Sequence, residues 1–236
     1  MSYFELMGFG PLGWGLPMLA AAAMTFAVAV AAMAFGAVFG TIGAAAKLSR
    51  SRVAHAVADG YTTVLRGVPD LLVIYLFYFG GSAAVTAVGH YLGAEGFIGV
   101  PAFLTGALAV GIVSGAYQTE VIRAAVLAIP PGEIEAARAF GMSRWNCNRR
   151  IVLPQVVRFA LPGMGNVWQA VLKETALVSV TGLVELLRQS QIGAGSTRQP
   201  FAFYMTAAAI YLLFTAASTW LLSRVEMRAM RSVARA

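Results

Sequence analysis

Four ionisable residues stand inside otherwise apolar stretches of the chain: Glu120, Arg123, Lys173 and Glu174. A charge surrounded by hydrocarbon is costly, and such residues usually face a partner or a water-filled path. Glu120 and Arg123 are three apart, a spacing that pairs side chains on one helical face. Lys173 and Glu174 are neighbours and point about 100° apart on a helix, so one face cannot use both. One reading makes Glu120, Glu174, Gln118 and Lys173 the candidate lining of a path for a cationic solute. The other makes these charges ion pairs that hold helices or subunits together. The sequence leaves both open. There is no Gly-x-x-x-x-Gly-Lys-Ser/Thr phosphate loop, nucleophile elbow or zinc-helix motif. One cysteine, Cys147, and two distant histidines, His55 and His90, offer neither a disulfide framework nor a metal cluster. The chain is therefore read as no enzyme by itself and as holding no cofactor or metal.

The surroundings of these charges set the fold class. Hydrophobic residues make up 59% of the 236 and charged ones only 11%, against about 25% in a soluble domain. Runs this apolar need lipid or a very large core, and a chain of this length cannot build the core. A net charge of +7 would suit nucleic acid in a soluble protein. Here the positives fall in short loops between apolar runs, where they set membrane orientation, and no nucleic-acid motif is present.

A bilayer core takes about 20 apolar helical residues. The predicted spans are about 17–46, 60–88, 101–129, 159–184 and 200–223, within one transmembrane domain covering 1–236. The first begins near Pro17, which suits a first helical turn, and its charges follow it as Lys47, Arg50 and Arg52, the reverse of a secretory signal peptide. The second should bend near Pro69. The fourth is interrupted by Lys173 and Glu174. A short external segment with Arg188 and Arg198 follows. Five spans put the N-terminus outside and the C-terminal tail inside, and leave only those two among the Lys and Arg of the outer loops. Gly36 and Gly40 form a Gly-x-x-x-Gly pair suited to close helix approach. Tyr75, Phe77, Tyr78 and Phe79 are expected to face lipid or its interface.

The loop 130–158 is the most distinctive stretch. Pro131 is pre-set for a first helical turn, and Glu133 and Glu135 lie near the positive N-terminal end. Gly141 is placed to stop that helix with a left-handed residue. Ser143 can cap a second short helix, and Pro154 is expected to end the segment. The pattern Glu-Ala-Ala, three residues, Gly, nine residues, Ile, one residue, Leu-Pro is filled by Glu135, Ala136, Ala137, Gly141, Ile151, Leu153 and Pro154. It resembles the EAA loop of permeases in bacterial ATP-binding-cassette importers. The resemblance implies an all-α membrane protein of the type I importer permease fold, with a coupling helix that docks into a cleft on an ATPase. Small residues suit such docking, and a sharp turn suits force transmission.

Other stretches extend the likeness. Arg66-Gly67-Val68-Pro69 resembles the Arg-Gly-Thr-Pro segment of polar amino acid permeases, with Val68 departing from it. Ala116-Tyr117 with Glu120 and Arg123 is similar to that subfamily's third span, and Lys173-Glu174-Thr175-Ala176-Leu177 to its Lys-Asp-Thr-Ser-Leu segment. Ala160-Leu161-Pro162-Gly163 and Trp168-Gln169 resemble the permeases for histidine, lysine, arginine, ornithine or opines. The likeness implies import of such compounds from periplasm to cytoplasm across the bacterial inner membrane. It implies as partners a second homologous permease subunit, two ATPases that bind ATP and Mg, and a periplasmic binding protein. An ion-coupled transporter or channel subunit would explain the spans but not the loop, and a structural anchor would not explain Glu120 and Glu174.

Overall fold

The computed structural model describes residues 3–11 and 13–230, and every regular element among them is helical. A short helix α1 (Tyr3–Leu6) precedes α2 (Gly15–Lys47). The 33 residues of α2 make a rod about 50 Å long, more than the roughly 30 Å of a hydrocarbon core. Helix α3 (Arg52–Gly67) starts at Ser51, whose side chain accepts from the Ala54 amide. It ends where Val68 turns extended at φ −94° and ψ 137°, the conformation that a following proline imposes. The expected bend near Pro69 is thus a full break. Helix α4 (Asp70–Tyr75) then runs through a wide π turn at Leu76–Gly80 into α5 (Gly81–Tyr91).

Helix α6 (Ala102–Leu127) is the central rod. The loop beyond it folds as α7 (Pro131–Ala139) and α8 (Arg144–Cys147). A π turn, Asn148–Val152, joins α8 to α9 (Leu153–Glu174) without a break. Pro154 therefore does not end the segment. It follows directly on the π turn, where the Leu153 amide donates to the Asn148 carbonyl five residues back, and this wider winding lets the helix run on past a residue that lacks an amide. Past Glu174 the chain tightens into 3-10 turns, Thr175–Thr181, and leaves them at Gly182 with φ +84°.

The stretch expected as an external loop forms α10 (Leu186–Thr197), and α11 (Pro200–Met230) follows. Among the described residues four helical segments are long and apolar enough to cross a membrane: α2, the continuous 70–91 segment, α6 and α11.

Small residues set the packing. A side chain on Gly40 would put its Cβ 2.7 Å from Gln118 Cβ and 3.2 Å from the Gln118 carbonyl carbon. Helix α6 answers with Gly111, where a Cβ would stand 2.7 Å from that of Phe35. Lipid offers little hydrophobic drive between helices, so this close van der Waals fit is what associates them. One core gathers Val28, Ala32, Val110, Val171 and Leu172 from α2, α6 and α9, and a second joins Leu6, Met18, Leu186 and Phe203 around α10 and α11. In the aromatic run, Tyr75 and Phe79 face outward, whereas Phe77 packs on the first core. A π turn rotates the helix relative to a regular 3.6-residue period.

Candidate functional site

The loop helices are built for a sharp reversal. Pro130 is extended, Pro131 opens α7, and Glu133 lies in its first turn. At the far end the Met142 amide donates to the Ala137 carbonyl at 3.0 Å and the Gly141 amide to that of Arg138 at 2.9 Å. This is the paired bonding of a Schellman turn, and it requires the left-handed φ of +77° found at Gly141. A Cβ there would meet nothing within 4 Å, so any side chain is penalised through the backbone, not through a clash. Ser143 then caps α8 by accepting from the Asn146 amide at 3.3 Å.

A cavity of about 590 Å³ opens between α7 and the start of α9. Ala136, Ala137, Ile151 and Pro154 line it together with Phe140 and Gln155. Four of the seven pattern residues therefore meet. Gly141 makes the turn, and Glu135 and Leu153 lie outside the lining, both exposed. Gln155 Nε2 donates to Glu133 Oε2, tying α7 to α9. Phe140 is 90% exposed at the end of α7, an apolar knob on a polar loop. Gln155 and Phe140 escape the motif because it fixes neither position.

The charges within the apolar stretches separate into two groups. Glu120 accepts from Lys47 Nζ at 2.6 Å and from Arg123 Nε at 3.0 Å. Lys47 also reaches Asp59 Oδ1 at 2.6 Å, and His55 Nε2 approaches Asp59 Oδ2 at 3.1 Å. This cluster ties the end of α2 to the middle of α3 and to the last third of α6. The hydrogen bond and charge of Lys47 hold the Asp59 carboxyl below the ordinary carboxylate range. Glu120 is thus engaged as a structural pair, and the expected Glu120–Arg123 contact is part of it.

Gln118 is fully buried between α2 and α6. Its amide nitrogen approaches Met33 O at 3.4 Å and Ser114 Oγ at 3.5 Å. It fills the interface between these two helices.

Glu174 occupies a different setting. With Ser114, Tyr117, Asn166 and Val167 it lines a cavity of about 280 Å³ between α6 and α9. Asp70, which opens α4, is near enough for the two carboxyl charges to interact. The Arg66 guanidinium lies 5.4 Å from the centre of the Tyr117 ring. Lys173 points away from this cavity and is exposed, as the 100° offset requires.

One buried acid lies outside all these expectations. Glu185 is fully buried at the start of α10 and accepts from the Leu187 and Arg188 amides at 2.9 and 2.7 Å. Thr25 donates to it at 3.3 Å, and the Tyr211 hydroxyl lies at 3.4 Å. Its sequence signal is an acidic cap just before Leu186, hidden in a segment that reads as a loop.

The family model described as binding-protein-dependent transport system inner membrane component matches residues 36–231. The octopine transport system permease protein OccQ of Rhizobium radiobacter is 61% identical over 235 residues, 100% of this chain and 99% of that protein. The histidine/lysine/arginine/ornithine transport system permease protein HisQ of Escherichia coli is 40% identical over 95% of this chain and 98% of its own length. The crystal structure of an amino acid ABC transporter with histidines superimposes with a TM-score of 0.77 at 34% identity, over 91% of this chain and 95% of that one.

Proposed function

The chain belongs to the family of binding-protein-dependent transport system inner membrane components, and from that premise we propose how it works. It is the permease subunit of an ATP-binding-cassette importer in the inner membrane, and it serves with ATPase and substrate-binding partners. In this reading it imports opines or basic amino acids, as the names of its relatives suggest. The acidic Glu174 cavity, with Asp70 beside it, suits a cationic solute.

The proposed topology has five spans in one domain. Helix α9 with its 3-10 extension supplies the fifth, in addition to the four long apolar segments. The N-terminus is periplasmic, and the 47–52 loop, the 130–158 loop and the C-terminal tail are cytoplasmic. The distribution of Lys and Arg supports this. The pathway forms against a second, homologous permease subunit, with two ATPases below and a periplasmic binding protein above. ATP and Mg are bound by the ATPases and not by this chain.

One observation carries the coupling role. From Arg144 to Glu174 the chain is helical without a break, a strut about 45 Å long. Its lower end adjoins the Gly141 turn and its upper end carries Glu174. Glu135, Ala136, Ala137 and Gly141 dock α7 on the ATPase, and Ile151, Leu153 and Pro154 join the docked part to the strut. Glu174 lines the substrate path, while Gln118 and Lys173 serve it only through the helices they stabilise.

The test is ATP hydrolysis by the assembled complex in lipid, with binding proteins loaded with octopine, arginine, histidine or glutamine. Severalfold stimulation by an opine- or basic-loaded protein, and none by the glutamine-loaded one, is expected. Stimulation by glutamine alone would overturn the substrate reading. Failure of any ATPase to assemble would overturn the coupling reading.

A further inference from the structure

We propose that the cytoplasmic corner formed by the α2–α3 loop, the end of α6 and the helices α7 and α8 binds the phosphate headgroup of an anionic phospholipid. A cavity of about 610 Å³ opens there, rimmed by Arg50, Arg138 and Arg144 and floored by Val126, Ile134 and Cys147. Among the described residues no carboxylate lines it. Among the described residues none of the three guanidinium groups makes an ion pair, although Lys47 and Arg123 are both paired. Three uncompensated guanidinium groups around one hollow make a site for a phosphate oxyanion, which arginine matches with its planar set of donors.

The position favours a lipid over a soluble anion. Arg50 lies three residues past the end of α2, and Val126 one residue before the end of α6, two segments long and apolar enough to span the bilayer. The rim therefore sits at headgroup depth. Apart from Asn148 the rest of the lining is apolar, as the glycerol and first acyl carbons of a lipid require. A second groove of about 470 Å³, lined mainly by apolar side chains such as Ile42, Ala46 and Val57, lies between α2 and α3, the two helices whose connecting loop holds Arg50. An acyl chain fits such a groove, and inorganic phosphate has no use for it. Anionic lipid is also concentrated in the cytoplasmic leaflet, where each basic residue near the surface strengthens attraction about fivefold.

The inference rests on the membrane orientation proposed above, and it would link coupling to lipid composition, because Arg138 lies on α7 itself. The test is native mass spectrometry of the complete, delipidated complex after incubation with phosphatidylglycerol, phosphatidylcholine or glycerol phosphate. The complex should retain phosphatidylglycerol, and the Arg50→Gln/Arg144→Gln complex should retain it about 25-fold less. Arg50→Lys should restore most of the retention lost in Arg50→Gln, and Arg188→Gln should change nothing. Equal retention by wild type and the double variant would overturn the site, as would equal retention of phosphatidylcholine. Displacement by glycerol phosphate would overturn the lipid assignment in favour of a soluble anion. Unchanged lipid retention with loss of the ATPase subunits would mean that the arginines meet a protein. If the double variant fails to assemble, the wild type decides alone, since its retention of phosphatidylglycerol must fall steeply with added salt. Retention is read on purified complex and is independent of sidedness. A failure of the orientation would appear separately, as labelling of a Ser143→Cys chain from outside intact cells.

Discussion

The Lys47 ammonium lies 2.6 Å from the Glu120 carboxylate, across the interface of α2 and α6. It lies equally close to Asp59 of α3, and its own side chain is only 7% exposed. One cation thus fixes three helices to one another. Removing it leaves two carboxylates sharing Arg123 and a bare interface. Lys47→Met should lower the stability of the complex by about 1.5–3 kcal/mol, read as an earlier thermal transition in detergent, and Glu120→Gln should act in the same direction.

The same cluster gives a pH dependence. Lys47 holds Asp59 below the usual carboxylate range. A group depressed in the folded state contributes stability above its unfolded pKa, near pH 4, and that contribution is lost as the pH falls through the folded value. Asp59→Asn should therefore melt earlier than wild type at pH 7, and the gap should close on acidification below about pH 4. A gap that stays constant across that range would contradict the assignment.

Glu174→Gln separates the path from the scaffold. The carboxylate lines a cavity and, unlike Glu120, forms no ion pair among the described residues. The variant should assemble normally and lose uptake of cationic substrate about tenfold or more relative to a neutral one, the loss of one charge-assisted contact of about 1.5–3 kcal/mol. Parallel uptake assays in proteoliposomes decide it. Loss of assembly instead would return Glu174 to the scaffold.

Close packing predicts a contrast between two glycines. Gly40→Val would drive a side chain into Gln118 of α6, whereas Gly60 has open space around it. Overpacking of this kind costs about 1–3 kcal/mol, and Gly60→Ala should be neutral or mildly stabilising because alanine favours helix. Size-exclusion profiles after a heat step compare the two directly.

How far the sequence carried these conclusions depends on the kind of signal. The long apolar rods and the α7–turn–α8 unit were legible because apolar runs, Pro131, Gly141 and Ser143 act locally. Pro154 was misread because the π turn that carries the helix past it is a property of the backbone with no mark in the local sequence. Helix α10 was missed because its cap, Glu185, satisfies amides two and three residues onward while burying itself against Thr25 and Tyr211, and that burial is set by distant parts of the chain. Likewise Glu120 and Glu174 look equivalent in sequence. Only the fold brings Lys47 to one and a cavity to the other.

The central claim is that the Gly141 turn passes motion between the ATPase and the membrane strut. The most direct test is the ratio of substrate imported to ATP hydrolysed by a Gly141→Asp complex in proteoliposomes, at matched expression. The left-handed φ of Gly141 costs a residue with a side chain about 1–2 kcal/mol, so the turn should deform while the rest of the fold survives. The complex should assemble, with hydrolysis largely retained and import reduced at least tenfold. Import and hydrolysis both at the wild-type ratio would contradict it.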